Sequence, residues 1–144
     1  PEEEIAFRGR LVGGCLDCLA NLAGTGYDGV RAFADRYRED GIIWFLESCD
    51  LTVMAMRRAV WELKHAGWFG HVKGFLIGRP LHFGEEIMGL DQYRAVTDLL
   101  AEYGVPVIMD ADFGHLPPAM PLVSGAVGEV TVKGNEIGIR YEMK

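Results

Sequence analysis

The stretch Gly41-Ile42-Ile43-Trp44-Phe45-Leu46-Glu47 limits the possible folds more than any other part of the chain. Five apolar residues in a row leave no side for water, so the segment reads as a strand buried on both faces, as in a parallel sheet. A carboxylate stands at its exit. In an open α/β sheet the carboxyl ends of the strands are where ligands and chemistry collect. Glu47 there needs a partner to account for it.

The flanking patterns extend the same architecture. Ile5 to Val12 alternates like a half-buried strand, Gly13-Gly14 ends it, and a short helix follows from Leu16 to Ala23. Asp28 can cap a second helix with Val30, Phe33 and Tyr37 on one face. After Glu47, Asp50 suits the N-cap of a helix to about Ala66, with Val53, Met56, Val60 and Leu63 as its apolar stripe and Gly67 beyond its end. Val72 to Ile77 reads as a third strand, Leu81 to Gly89 as a loop, and Asp91 opens a helix that closes at Gly104. Val105 to Met109 reads as a further buried strand. Val127 to Val132 and Ile137 to Tyr141 alternate around Gly134-Asn135, the pattern of a hairpin packed on one face. The expected fold class is α/β: a largely parallel sheet with right-handed crossovers, helices between the strands, and an antiparallel C-terminal hairpin.

At 144 residues one domain over 1–144 is expected. The net charge of −7 argues against nucleic acid as a partner, because phosphate contacts need clustered cations. No apolar run approaches the roughly 20 residues that span a bilayer, so no membrane partner is expected. Three cysteines suggest no disulfide framework, and a reducing, cytoplasmic location is expected. The opening Pro1-Glu2-Glu3-Glu4 suits a piece of a longer polypeptide, although Met removal before Pro would give the same start.

His115 lies on the Gly-Pro-rich stretch from Asp110 to Pro118, just past a strand. Its position matches that of Glu47, which suggests adjacent strand ends in one sheet. An imidazole with an ordinary pKa of about 6.5 suits a general base, and a carboxylate on its second nitrogen would fix the tautomer. The plain alternative is a surface histidine beside an unrelated glutamate. His65 reads as lying on a solvated helix face and His71 in a turn; His82 lies in a loop near the same edge. Cys15-Leu16-Asp17-Cys18 has the spacing of a redox or zinc half-site, but a closed zinc site would have to recruit Cys49 and His115. Asp112-Phe113-Gly114 matches the magnesium tripeptide of kinases without the rest of that signature, and no phosphate loop or dinucleotide fingerprint is present. No metal or cofactor is expected. Of the two serines, Ser124 lacks a nucleophile-elbow context and Ser48 directly follows Glu47. A nucleophile for Glu47 and His115 would come from elsewhere.

Taken in order, these segments resemble the C-terminal domain of the LD-carboxypeptidase family of serine peptidases, which includes microcin C immunity-type peptidases. The resemblance rests on Gly13-Gly14-x-Leu16, Gly24-Thr25-x-Tyr27, Phe45-Leu46-Glu47, Gly74 to Arg79, Pro106-Val107, Asp112-Phe113-Gly114-His115 and Pro121-Leu122. It implies a swivelling β/β/α-type domain, and an N-terminal domain of the same polypeptide that supplies the serine. It also implies Glu47 and His115 as catalytic residues, with Gly13, Gly14, Cys15 and Asp112 on the substrate side. Implied substrates are murein tetrapeptides or microcin C-like peptide conjugates. The family usually carries Asn where this chain has Cys15, and an acidic stretch where it has Ser48-Cys49-Asp50. Alone, such a domain is expected to be hydrolytically inactive and, with its partner face bare, to self-associate into a homo-oligomer. Two other readings compete with it: a non-catalytic binding domain that keeps the fold only, and a metal site from Cys15, Cys18, Cys49 and His115.

Overall fold

The computed structural model describes residues 1–142. Strand β1 (Ile5–Cys15) is followed by α1 (Leu16–Leu22), α2 (Val30–Arg36), β2 (Ile42–Glu47), α3 (Val53–His65) and β3 (Val72–Gly78). A two-rung ladder, β4 (Glu86–Ile87) with β5 (Leu90–Asp91), precedes α4 (Gln92–Leu100), whose end tightens into a 3-10 turn at Ala101–Tyr103. Then come β6 (Val107–Ala111), β7 (Val127–Lys133) and β8 (Glu136–Glu142). The main sheet has six strands in the order β6-β3-β2-β1-β7-β8. The first four run parallel, β7 joins β1 antiparallel, and β8 joins β7 antiparallel. This is the mixed α/β architecture expected. Among the described residues no helix is long and apolar enough to cross a membrane.

Strand β2 is buried on both faces because its neighbours cover it from both sides. Ile42, Trp44 and Leu46 join one cluster with Met56, Val60, Leu63, Val96 and Leu100 from the helices. Trp44 stacks on Trp68 at 5.7 Å and meets Phe69 edge-on at 5.4 Å. Ile43 faces the opposite way, into a second cluster with Leu11, Leu76, Phe113, Val130 and Val132. That cluster is closed by the β7–β8 hairpin and by Met120 and Leu122, with no helical residue among those described.

Three expectations change. The N-cap of α3 is Thr52, whose hydroxyl accepts from the Ala55 N–H, while Glu85 accepts from the Val53 N–H at 2.7 Å. Asp50 lies before that cap, in the turn whose Cys49 and Asp50 N–H groups bond Asp17. The segment 81–89 is not all loop. Met88 (φ 53°) and Gly89 (φ 76°) turn β4 back on β5, and a methionine in the left-handed region carries no sequence signal. Strand β6 starts two residues later than expected and is an edge strand, half-buried from Val107 to Asp110. Pro106 stands outside it and offers only its carbonyl, to the Phe75 N–H at 2.9 Å.

Trp44→Ala should lower unfolding free energy by about 3–5 kcal/mol in denaturant titrations, the cost of removing a large core aromatic. Val123→Ala, at an exposed position, should stay within about 0.5 kcal/mol of the parent.

Candidate active site

The four parallel strands end at one edge of the sheet, at Cys15, Glu47, Gly78 and Ala111. Register sets Cys15 directly beside Glu47 across β1 and β2. The Glu47 carboxylate is buried, at 7% exposure. His115 enters from the loop after β6, but β6 is not next to β2: β3 lies between them. The expectation of adjacent strand ends is therefore corrected. The loop has to cross the end of β3 to bring His115 to Glu47.

Local chemistry explains how it crosses. Leu76 pairs with Ile108 but Gly78 with Ala111, so β6 carries one extra residue there. Asp110 takes up the bend at φ 58°, and its carboxylate accepts from the Tyr93 hydroxyl at 2.8 Å and the Gln92 amide at 3.3 Å. Phe113 then plugs the second cluster, edge-on to Phe45 at 6.1 Å. Arg79, just beyond β3, pairs with Asp112 at 2.7 Å and donates to the carbonyls of Pro117 and Pro118. Gly78 makes the crossing possible, because a Cβ there would lie 2.5 Å from the Phe113 carbonyl oxygen. Gly114 (φ +106°) lies so close over Glu47 that a Cβ would meet its Oε2 at 2.8 Å.

The loop delivers one short contact: His115 Nδ1 donates to Glu47 Oε2 at 2.8 Å. That bond, and then the charge of Glu47, raise the imidazole pKa above its ordinary value. With Nδ1–H committed, Nε2 is the acceptor nitrogen, on a side chain 46% exposed. The pair has the form of a base and its orienting carboxylate.

Asp17, which in the sequence is only a spacer between Cys15 and Cys18, belongs to this site. Its Oδ2 accepts from the Cys49 N–H at 3.0 Å and its Oδ1 from the Asp50 N–H at 2.8 Å, which pins the turn leaving Glu47. Burial pushes the Asp17 pKa up, but these backbone donors outweigh it and the net shift is down. The Cys15 thiol donates to Asp17 Oδ2 at 3.2 Å. Its pKa is raised to about 12, first by burial and then by that bond, so free Cys15 is a protonated thiol at neutral pH.

Of the other sequence candidates, Gly13 and Gly14 lie in β1 opposite Phe45 and Leu46. Asp112 is committed to Arg79. Cys15, Glu47 and His115 come together, with ligating atoms all within 4.8 Å of one another; Cys18 is exposed and neither it nor Cys49 is part of that group. His65 lies on its helix against Trp61, His71 pairs with Asp35 at 3.0 Å, and His82 is exposed in the 81–89 segment. Ser48 is buried and Ser124 exposed, and neither hydrogen-bonds His115 among the described residues. Gly78, Arg79 and Asp110 lie in stretches visible in the sequence but carry no assignable role there, since their roles depend on strand order.

Residues 8–130 match the sequence profile of the LD-carboxypeptidase C-terminal domain. The chain belongs to that family. A Streptomyces coelicolor relative, whose name assigns it provisionally to the carboxypeptidases, is 30% identical over 129 residues, which cover 85% of this chain and 36% of the relative. Among solved structures, muramoyltetrapeptide carboxypeptidase from Oxalobacter formigenes superposes with a TM-score of 0.76 at 23% identity, covering 97% of this chain and 46% of that one. The microcin C7 self-immunity protein MccF, in complex with glutamyl sulfamoyl guanosine, gives 0.74 at 22% identity, covering 96% and 39%. These two likenesses establish the fold. The chain thus spans between about a third and a half of these LD-carboxypeptidase-family relatives.

Gly114→Ala should cost about 1–3 kcal/mol in thermal or denaturant unfolding, since it sets a side chain at positive φ against Glu47. In an NMR titration His115 should show a pKa above about 6.5, and Glu47→Gln should bring it back toward that value. The sign for stability follows from the raised folded-state value. The contribution of the pair is fully present below about pH 6.5 and is lost as pH rises through the folded pKa. Denaturation across that window should show the loss in the parent and a flatter profile in Glu47→Gln.

Proposed function

We propose that this chain is the base-bearing half of a serine-type LD-carboxypeptidase, with His115 as general base and Glu47 orienting it. The observation that supports this reading is the 2.8 Å bond between His115 Nδ1 and Glu47 Oε2 at the carboxyl edge of the sheet. Neither serine of the chain suits the nucleophile: Ser48 Oγ is buried, and Ser124 lies in the turn whose Gly125 N–H bonds the Leu11 carbonyl within β1. The serine is assigned to the additional polypeptide that longer relatives possess.

In this reading His115 Nε2 takes the proton from the serine Oγ as that oxygen attacks the substrate carbonyl carbon. The same imidazole returns the proton to the leaving amine, and water then releases the acyl group by the reverse proton path. Glu47 stays ionised throughout and stabilises the imidazolium. Substrates are peptides with a free C-terminal end, of the murein tetrapeptide or microcin C-like type, in line with the names of the structural relatives. Three free cysteines suit a reducing cytoplasm. Leu81, Phe83 and Met88 are exposed on the segment after β3 and offer apolar surface to the nucleophile domain or to a second copy.

Alone, the chain should neither hydrolyse peptide nor react with a fluorophosphonate probe. The polypeptide that includes the upstream region should do both, and His115→Ala or Glu47→Gln in it should lower kcat by about 10³–10⁴-fold or more. Full turnover in the His115→Ala protein would overturn the reading. A joined polypeptide that binds such peptides without cutting them would instead favour a binding domain, the reading that Cys15 in place of Asn supports.

A further inference from the structure

We propose that Cys15, Glu47 and His115 also form a binding site for a thiophilic divalent cation, with Zn²⁺ as its type. The three side chains arrive from separate places: the end of β1, the end of β2 and the loop after β6. Their ligating atoms nevertheless lie within 4.8 Å of one another. One thiol, one carboxylate and one imidazole match the donor preferences of Zn²⁺, whose bonds are about 2.3 Å to sulfur and about 2.0–2.2 Å to nitrogen and oxygen. Tetrahedral bonds of that length set donor atoms roughly 3.2–3.8 Å apart, so a pair at the 4.8 Å limit has to close by about 1–1.6 Å, and the 2.8 Å His115–Glu47 pair has to open slightly. His115 is 46% exposed, and rotation of its side chain supplies that movement. Three protein donors leave a fourth position for water on the exposed side, as in open zinc sites. Ca²⁺ and Mg²⁺ do not suit a set with a single carboxylate and a sulfur.

Asp17 positions the thiol before a cation binds. Two backbone N–H groups hold its carboxylate, and that carboxylate holds the Cys15 thiol in place beside Glu47. On binding, sulfur loses its proton to solvent, and with it the bond to Asp17, while the imidazole proton moves from Nδ1 to Nε2 so that Nδ1 faces the cation in place of the bond to Glu47. The site itself stands apart from the peptidase reading. A consequence that does rest on that reading is that a cation on the imidazole displaces the Glu47–His115 bond and idles the base.

Co²⁺ added to the full chain tests the site. A 1:1 complex with a near-ultraviolet sulfur-to-cobalt charge-transfer band, lost when Zn²⁺ is added, is the expected result. Cys15→Ser should abolish the band and weaken Zn²⁺ binding, measured against a chromophoric chelator, by at least about 10–100-fold, the effect of losing even a supporting group. Glu47→Gln and His115→Ala should weaken it likewise, while Cys18→Ser and Cys49→Ser should leave band and affinity unchanged. Cys15→Asn serves as a second replacement if Cys15→Ser does not fold, with circular dichroism to check each variant. Absence of the band, its survival in a folded Cys15 variant, or its loss in Cys18→Ser or Cys49→Ser would overturn the proposal. Each of those outcomes leaves the peptidase reading untouched.

Discussion

A buried carboxylate at the end of a buried strand is costly to keep unless something charged or strongly hydrogen-bonding answers it. Glu47 is answered by His115, and much of the surrounding structure serves that one 2.8 Å bond. The bulge at Asp110 aims the loop, Phe113 anchors it, Arg79 clamps it, and the missing side chains of Gly78 and Gly114 leave room for it. From the other side Asp17 holds the turn that follows Glu47. Removal of any of these supports acts on the pair without touching either member, as expected where a site depends on its supporting shell.

The two faces of the sheet play different parts. Helices and the Trp44–Trp68 stack make one face a rigid base for the strand ends. The other face is closed by the C-terminal hairpin and by the loop that carries His115, so packing there and site geometry are the same event. Phe113 belongs to the core and His115 to the site, two residues apart. A half-exposed imidazole is thus tethered close to a buried aromatic.

Cys15 adds a third donor beside the Glu47–His115 pair. Burial and the Asp17 carboxylate keep it a thiol, which makes it a poor nucleophile but leaves a soft donor beside a carboxylate and an imidazole. Acid–base chemistry and cation binding would draw on the same imidazole, so one occupies it at the expense of the other.

Strand β2, the stripe of α3, the C-terminal hairpin and the two residues Glu47 and His115 could all be read from the chain. Each depends on local periodicity, on turn residues, or on a polar group placed where an apolar run ends. The family's ordered short segments could be read there too. Strand order could not, because periodicity says that a segment is a strand and nothing of its neighbours. Only the folded sheet set β3 between β2 and β6, left β6 at an edge, and made the crossing over Gly78 necessary. Asp17, Arg79 and Asp110 acquired their roles with it, since the groups they bind lie many residues away in the chain. Local sequence could single out Glu47 and His115; the distance between them was decided by tertiary packing, which alone determines which strand ends share an edge.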